Sequence, residues 1–220
     1  MAAAHCTSCV LIEEVDLEGK RRRRYFGTAF FVSENLLLTA GHNIVGVNGR
    51  VTRISISHPG LDQLQPWQLS QRKMTTIECK LVGTIYKRNG PHTKDIAILD
   101  SGSFRHSNFL PLSSIIPPPE AIVDVIGYPG EIRHEWIEAQ AGLLNPVEGQ
   151  EEAIRLLPHG CLTVTRGTVE AGNTTLPYHI STCPGMGGSC VLYKGAAIGK
   201  CRGINGLSNR SACRTIRQKY

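Results

Sequence analysis

Three segments of this 220-residue chain hold residues that could catalyse acyl transfer. Attack by a hydroxyl on a carbonyl needs a base, an anion that orients the base, and fixed donors for the developing oxyanion. A histidine, an aspartate and a glycine-rich loop supply these groups in chain order, in residues 39–42, 95–99 and 185–191. The glycine-rich part of this loop, which has Gly187 near its centre, carries no hydroxyl that could attack.

His42 and Asp95 are singled out by their context. His42 follows an apolar run and the small pair Ala40-Gly41, which lets an imidazole project into a cleft. Asp95 directly precedes the apolar run 96–99, so we expect it at the buried end of a strand. Taken alone, a histidine of this kind could be structural and an aspartate of this kind could be a turn residue.

The elements that must position these residues are predicted to be strands. Short apolar runs separated by turn residues predict strands at 25–32, 36–40, 54–57 and 96–99, then 122–126, 162–166, 178–181 and 191–193, with a hairpin through 195–199. The stretch 101–120, with its serines and three consecutive prolines, is typical of a linker. Residues 208–220 could form a short terminal helix. Two β-rich halves joined by a linker predict two packed barrels.

The charge and cysteine content exclude some classes of function. The net charge of +6 comes largely from residues 20–24, which we interpret as a solvated turn before a strand that starts at Tyr25. Binding of nucleic acid or anionic lipid by these arginines is a weaker alternative, because no aromatic residues interleave with them. Of eight cysteines, Cys6 and Cys9 have the spacing of half a zinc site, but no second such pair follows. We therefore expect no metal, no organic cofactor and no nucleic-acid partner.

The location of the protein is predicted from its beginning and its hydropathy. The first residues lack the basic region and apolar core of a signal peptide. No apolar run reaches the ~18 residues that a membrane helix needs. We expect an intracellular protein, in the cytoplasm or nucleus, with reduced cysteines and no membrane span. Regulatory or fused domains beyond this chain remain open.

The motifs resemble those of trypsin-like serine proteases. Residues 39–42 are similar to the family's Thr-Ala-x-His, and residues 95–99 to its Asp-Ile-Ala-Leu-Leu. The Gly-Tyr-Pro-Gly segment at 127–130, the loop 185–191 and the later Ile198-Gly199 are most similar to the glutamyl endopeptidase branch and related intracellular domains. The resemblance covers residues 25–205.

The resemblance implies an all-β chymotrypsin-like fold with two packed six-stranded antiparallel barrels. The first barrel is expected at 10–105, an interbarrel linker at 106–120, the second barrel at 121–206, and a tail or short helix at 207–220. It implies a serine endopeptidase acting on a protein or peptide substrate. A serine at position 187 would attack, His42 would take its proton, Asp95 would hold the His42 tautomer, and the N–H groups of Gly185 and residue 187 would bind the oxyanion.

The resemblance also implies where the substrate binds. Ser181 and Thr182 would lie at the floor of the specificity pocket, and Cys201, Arg202 and Gly203 are further candidates for substrate binding. In the rival interpretation, a peptide-binding scaffold without catalysis, these three residues would form an exposed strand edge that pairs with an extended peptide. No acid lies in 181–183, which disfavours a preference for Arg or Lys. Cys201 falls near the place of the pocket histidine of the glutamyl branch, so a preference for Glu is disfavoured as well.

The departure at Gly187 has three explanations. It is a deliberate serine-to-glycine change that inactivates a protease, or it marks a natural pseudoprotease that binds peptides or proteins, or the register is shifted and Ser189 or Cys190 attacks. A shift to Ser189 would leave Cys190-Val191 where the loop needs small residues. In addition, Met186 stands where trypsin has an aspartate that pairs with a freed N-terminus, so activation by cleavage is not supported.

Overall fold

The structure, a computed structural model, describes residues 2–15, 18–45, 50–57, 76–86, 95–130, 162–169, 176–179, 185–201 and 211–215. Within these ranges the chain is built from strands and two short helices, α1 (Ala2–His5) and α2 (Gly41–Val45). Neither of these helices is long or apolar enough to cross a membrane.

The first six strands close into one antiparallel barrel. They are β1 (Thr7–Val15), β2 (Arg21–Phe31), β3 (Leu36–Thr39), β4 (Arg50–Ser57), β5 (Thr76–Tyr86) and β6 (Asp95–Asp100). Their order around the barrel is β1-β2-β3-β6-β5-β4, and β1 pairs with both β2 and β4, which closes the sheet on itself. Closure leaves every strand with a neighbour on each side.

The remaining strands close into a second barrel. They are β7 (Ile122–Gly127), β8 (Thr163–Val169), β9 (Leu176–His179), β10 (Cys190–Tyr193), β11 (Ala196–Cys201) and β12 (Ser211–Thr215). Their order is β10-β11-β12-β9-β8-β7, and β7 pairs with β10 to complete the circle. Two closed six-stranded antiparallel barrels confirm the predicted fold class.

Residues 101–121 connect the last strand of the first barrel to the first strand of the second. They form no helix and no strand, apart from an isolated bridge between Leu112 and Ala197. Leu110 is buried in a cluster that contains Phe30 and Phe31 of the first barrel and Cys190 of the second. The connection and both barrels therefore share apolar core at the interface.

Two expectations about local structure were wrong. Residues 211–215, expected within a tail or short helix, form β12, which pairs with β11 and β9. β12 lies between β11 and β9, and without it the second barrel would not close. Pairing with these two neighbouring strands therefore determines the conformation of residues 211–215. The other residues of 207–220 lie outside the described ranges.

The basic run does not form a turn, because β2 begins at Arg21 rather than at Tyr25. Arg22 and Arg23 are register partners of Glu14 and Glu13 on β1. The strand β2 is therefore four residues longer at its start than the apolar run predicted, because it includes residues 21–24.

Candidate functional site

The short helix α2 and the start of β6 bring His42 and Asp95 together. β3 and β6 are antiparallel neighbours, with Thr39 paired to Ala97, so the end of β3 and the beginning of β6 lie at the same end of the barrel. Gly41 makes this approach possible, because a Cβ on it would lie 3.3 Å from Asp95 Oδ1. The small corner predicted from the sequence thus lies in tight contact with Asp95, and a larger residue at position 41 would displace its neighbours by a few tenths of an ångström.

The Asp95 carboxylate holds both the side chain and the backbone of His42. Oδ2 lies 2.9 Å from His42 Nδ1, and Oδ1 accepts the His42 backbone N–H at 2.8 Å. The Asp95 side chain is 4% exposed and that of His42 is 35% exposed. With Asp95 ionised, Nδ1 donates and Nε2 is left as an acceptor, which is the tautomer that a general base requires.

Position 187 lies directly at His42 Nε2. A Cβ built on Gly187 would be 2.7 Å from Nε2 and 3.0 Å from Cε1 of His42. Gly185 and Gly188 have positive φ angles of 88° and 89°, whereas the φ of Gly187 is not positive. A side chain at position 187 would therefore contact the end of the His42 ring. The backbone at this position would not be strained by it.

Hydrogen bonds across the barrel interface hold the loop in place. The Gly187 carbonyl accepts from the Thr28 N–H at 2.9 Å and from Asn43 Nδ2 at 2.9 Å. The Gly188 N–H donates to the Cys201 carbonyl at 2.9 Å. Among the described residues no acceptor is found for the Gly187 N–H.

Ser189 and Cys190, the nucleophiles of a shifted register, point into the protein. Ser189 is fully buried, and its Oγ contacts the Gly127 backbone without a hydrogen-bond partner among the described residues. Cys190 is also fully buried, and burial raises the pKa of its thiol to about 12. A thiol of such high pKa stays protonated at neutral pH and is a poor nucleophile.

A buried lysine joins the site, and the sequence reasoning missed it. Lys200 on β11 is 2% exposed, and its Nζ lies 3.0 Å from Asp95 Oδ2. This ion pair crosses from the second barrel to the first. The available signal was a single charged residue within the apolar run of β11, at a position where both neighbours are also buried.

These contacts change the acidity of Asp95. Burial of the carboxyl acts to raise its pKa above the ordinary 3.8, but the hydrogen bonds from His42 and the charges of Lys200 and His42 together outweigh burial. The pKa of Asp95 is thereby lowered well below its usual range. Asp95 stays ionised throughout the neutral and mildly acidic range.

The stability that Asp95 provides should depend on pH. Since its folded-state pKa is lowered, this stability is fully present above the unfolded pKa near 4 and is lost as pH falls toward the folded-state value. Asp95→Asn leaves Lys200 buried without its anion, so we expect a loss of about 3–5 kcal/mol at pH 7 and a smaller loss at pH 3. Urea unfolding of both proteins at the two pH values measures this.

The matched control is Asp124→Asn. Asp124 pairs with the exposed Arg166 at 2.7 Å, and exposed pairs contribute at most about 1 kcal/mol. We expect a small change in the free energy of unfolding at pH 7. A pH-independent difference between the Asp95→Asn variant and the parent would contradict the assignment.

The remaining predicted site residues are those of the specificity pocket and the strand edge, and the structure does not support a peptide-binding role for the one that it describes. Cys201 is buried, its N–H donates to the Ser189 carbonyl at 2.7 Å, and its carbonyl accepts from Gly188. It therefore presents no open backbone edge to a peptide. The other members of the predicted pocket and edge lie outside the described residues: Ser181, Thr182, Arg202 and Gly203.

Met186 belongs to the core rather than to the cleft. It is fully buried among the apolar side chains of the second barrel, together with Val191 and Ile198. Its side chain anchors the loop that carries Gly185 and Gly187. Met186 is thus part of the barrel packing.

Comparison with known proteins supports the fold. No protein-family profile and no curated protein sequence matches the chain. Similar solved structures include the Rv3671c protease in an inactive form, and Rv3671c from M. tuberculosis H37Rv with a serine-to-alanine substitution, also inactive. Each has a TM-score of 0.59 and 15% identity over 98% of this chain, and the match covers 85% and 83% of those chains. The chain therefore has the two-barrel, chymotrypsin-like fold that these proteases share.

Proposed function

We propose that this chain binds a protein or peptide segment in the active-site cleft of a serine endopeptidase whose nucleophile is absent. The observation that carries the proposal is the 2.7 Å between His42 Nε2 and the Cβ position of residue 187. A base held by a buried carboxylate and directed at one backbone position is the arrangement that activates a hydroxyl at that position. In this chain that position is a glycine.

The endopeptidase reaction assigns a role to each group if residue 187 is a serine. His42 Nε2 takes the hydroxyl proton while Oγ bonds to the substrate carbonyl carbon, and the carbonyl oxygen becomes an oxyanion held by the N–H groups of residues 185 and 187. His42 then passes the proton to the leaving amine, and the C–N bond breaks, which leaves the acyl group on Oγ. Water next attacks the acyl carbon while His42 takes its proton, the C–Oγ bond breaks, and His42 returns the proton to Oγ as the acid product leaves. Asp95 holds the tautomer and stabilises the imidazolium.

With Gly187 no covalent bond to the carbonyl carbon can form at this position. The proposal assumes that the backbone around residue 187 still accommodates a polypeptide when the hydroxyl is missing. Such a site keeps its affinity for polypeptide while the chemical step is lost. Loss of the nucleophile lowers kcat by about 10⁶ in a serine protease.

Two origins of Gly187 remain candidates, an inactivating change in a working protease and a natural pseudoprotease. The contact between Lys200 Nζ and Asp95 Oδ2 at 3.0 Å is compatible with both origins and does not separate them.

Peptide binding tests the proposal. The chain is immobilised and incubated with a mixed peptide library, and retained peptides are identified by mass spectrometry and their Kd values measured by calorimetry. We expect intact peptides whose Kd rises at least about tenfold in a His42→Trp variant, because the indole fills the cleft beside residue 187. Arg105→Trp, a change of an exposed residue in the connection between the barrels, is the control and should leave Kd unchanged.

Two results would contradict the proposal. Equal Kd values in the His42→Trp and Arg105→Trp variants would place binding outside the cleft. Cleavage of the retained peptides by the parent chain would mean that a nucleophile is present after all.

A further inference from the structure

The side chain of Lys200 runs from the second barrel into the catalytic end of the first. β11 carries it between its register partners Cys190 on β10 and Arg214 on β12. At 2% exposure it is among the largest fully buried side chains of the described residues. An ammonium is buried to this degree only where an anion compensates its charge.

The anion is the carboxylate that also orients His42. Asp95 Oδ2 has two donors, Lys200 Nζ at 3.0 Å and His42 Nδ1 at 2.9 Å, and Oδ1 accepts the His42 backbone N–H. A full positive charge and the imidazole thus compete for the same oxygen. Neither the proton transfer by His42 nor the orientation of His42 by Asp95 requires the positive charge of Lys200.

We propose that Lys200 is a positioning residue which fixes the Asp95 carboxylate across the barrel interface and at the same time weakens the electrostatic support that the carboxylate gives to His42. The two effects have one cause. The ammonium holds the carboxylate in place because it binds Oδ2, and by binding Oδ2 it neutralises the charge that an imidazolium would use.

The effect on catalysis follows from the charge that forms during proton transfer. When His42 takes a proton, its ring becomes cationic, and an ionised Asp95 without another partner would stabilise that cation. With Lys200 in place the new cation forms close to an existing one. Lys200 therefore reduces the share of the Asp95 charge that is available to the imidazolium formed during the reaction.

The first test uses the chain as it is and does not depend on the proposed function. Proton NMR detects the Nδ1–H of His42 as a resonance at low field, because this proton is hydrogen-bonded to Asp95. We expect Lys200→Met to move the resonance further downfield, since the bond to Oδ2 strengthens when the competing donor is removed. Lys200→Arg keeps the charge and should leave the resonance close to its original position.

An unchanged resonance in a folded Lys200→Met protein would overturn the proposal. Lys200→Gln is the second variant, because it removes the charge but keeps a donor. If both uncharged variants fail to fold while Lys200→Arg folds, Lys200 acts only in stability, and the proposal is likewise overturned.

The second test rests on the proposed function, because it measures peptide hydrolysis in a Gly187→Ser background. We expect Lys200→Met to raise kcat about tenfold with KM unchanged. Proton transfer by a positioned base contributes about 10²–10⁴ in rate, and we expect Lys200 to suppress only part of this contribution. Lys200→Arg should leave kcat unchanged.

The two tests separate the two ideas. If Gly187→Ser is inactive with and without Lys200→Met but the NMR shift is seen, the proposed function fails and the role of Lys200 stands. If Gly187→Ser is active and Lys200→Met changes neither kcat nor the resonance, the role of Lys200 is wrong and the proposed function stands.

Discussion

Gly187→Ser is expected to hydrolyse peptides at least about 10³-fold faster than the parent chain, within the ~10⁶ range that a serine nucleophile controls. The φ of residue 187 is not positive, so an L-residue fits its backbone. The new Cβ would lie 2.7 Å from His42 Nε2, which requires the ring to move by a few tenths of an ångström. Turnover of a mixed peptide library, followed by mass spectrometry, measures the rate and gives the cleavage sites.

The matched control is Gly187→Ala. It adds the same Cβ against the same ring but no hydroxyl, so any effect of crowding His42 is shared by the two variants. We expect no hydrolysis by Gly187→Ala. Equal activity in the serine and alanine variants would show that residue 187 is not the nucleophile position.

Gly188→Ala is expected to destabilise the protein by more than about 4 kcal/mol, in the range reserved for severe steric conflicts. Its φ of 89° is left-handed, and its Cβ would collide with the Thr28 carbonyl and lie 2.6 Å from Thr39 Oγ1 and 2.9 Å from the Ala40 N. These are atoms of the first barrel, so the barrels would have to separate at the loop. Urea unfolding measures the loss.

Gly195→Ala isolates the contribution of the backbone conformation. Gly195 has a φ of 80°, but among the described residues no atom beyond its own chain neighbours lies within 4 Å of its Cβ position. A non-glycine residue in the left-handed region costs about 1–2 kcal/mol. We expect Gly195→Ala to lose only this amount. Equal losses at Gly188 and Gly195 would mean that the loop is not packed against the first barrel.

Strands with continuous apolar character could be predicted from the sequence, and the structure contains them at nearly the predicted positions. β6 is an example, because its alternation of buried and half-buried residues follows the period of a strand. β5 was missed, since seven of its residues are exposed and a register shift lies between Leu81 and Gly83. β12 was missed because its conformation is determined by barrel closure rather than by its own residues.

β1 was missed for a related reason. Its first two residues, Thr7 and Ser8, are polar, yet both are fully buried, and their burial depends on the pairing with β2. Local residue type does not predict burial of a threonine or a serine. The strand becomes evident only when its partner strands are known.

In the candidate site, too, some residues could be predicted from the local sequence and one could not. His42, Asp95 and Gly187 were found because each lies in a recognisable segment, and the structure brings them together. Lys200 could not be predicted, because a lysine in a strand is ordinarily expected to face solvent. Its burial depends on an anion 105 residues away in the chain, which only the packing of the two barrels provides.

The measurement that tests the central claim most directly is the location of a covalent adduct. The parent chain and the Gly187→Ser variant are incubated with a fluorophosphonate, digested and examined by peptide mass spectrometry, with Gly187→Ser/His42→Ala as the control without a base. We predict an adduct at residue 187 of the Gly187→Ser variant, little adduct in the control, and none on the parent chain. An adduct on Ser189 of the parent chain would contradict the account, because the nucleophile would then lie two residues further along the loop.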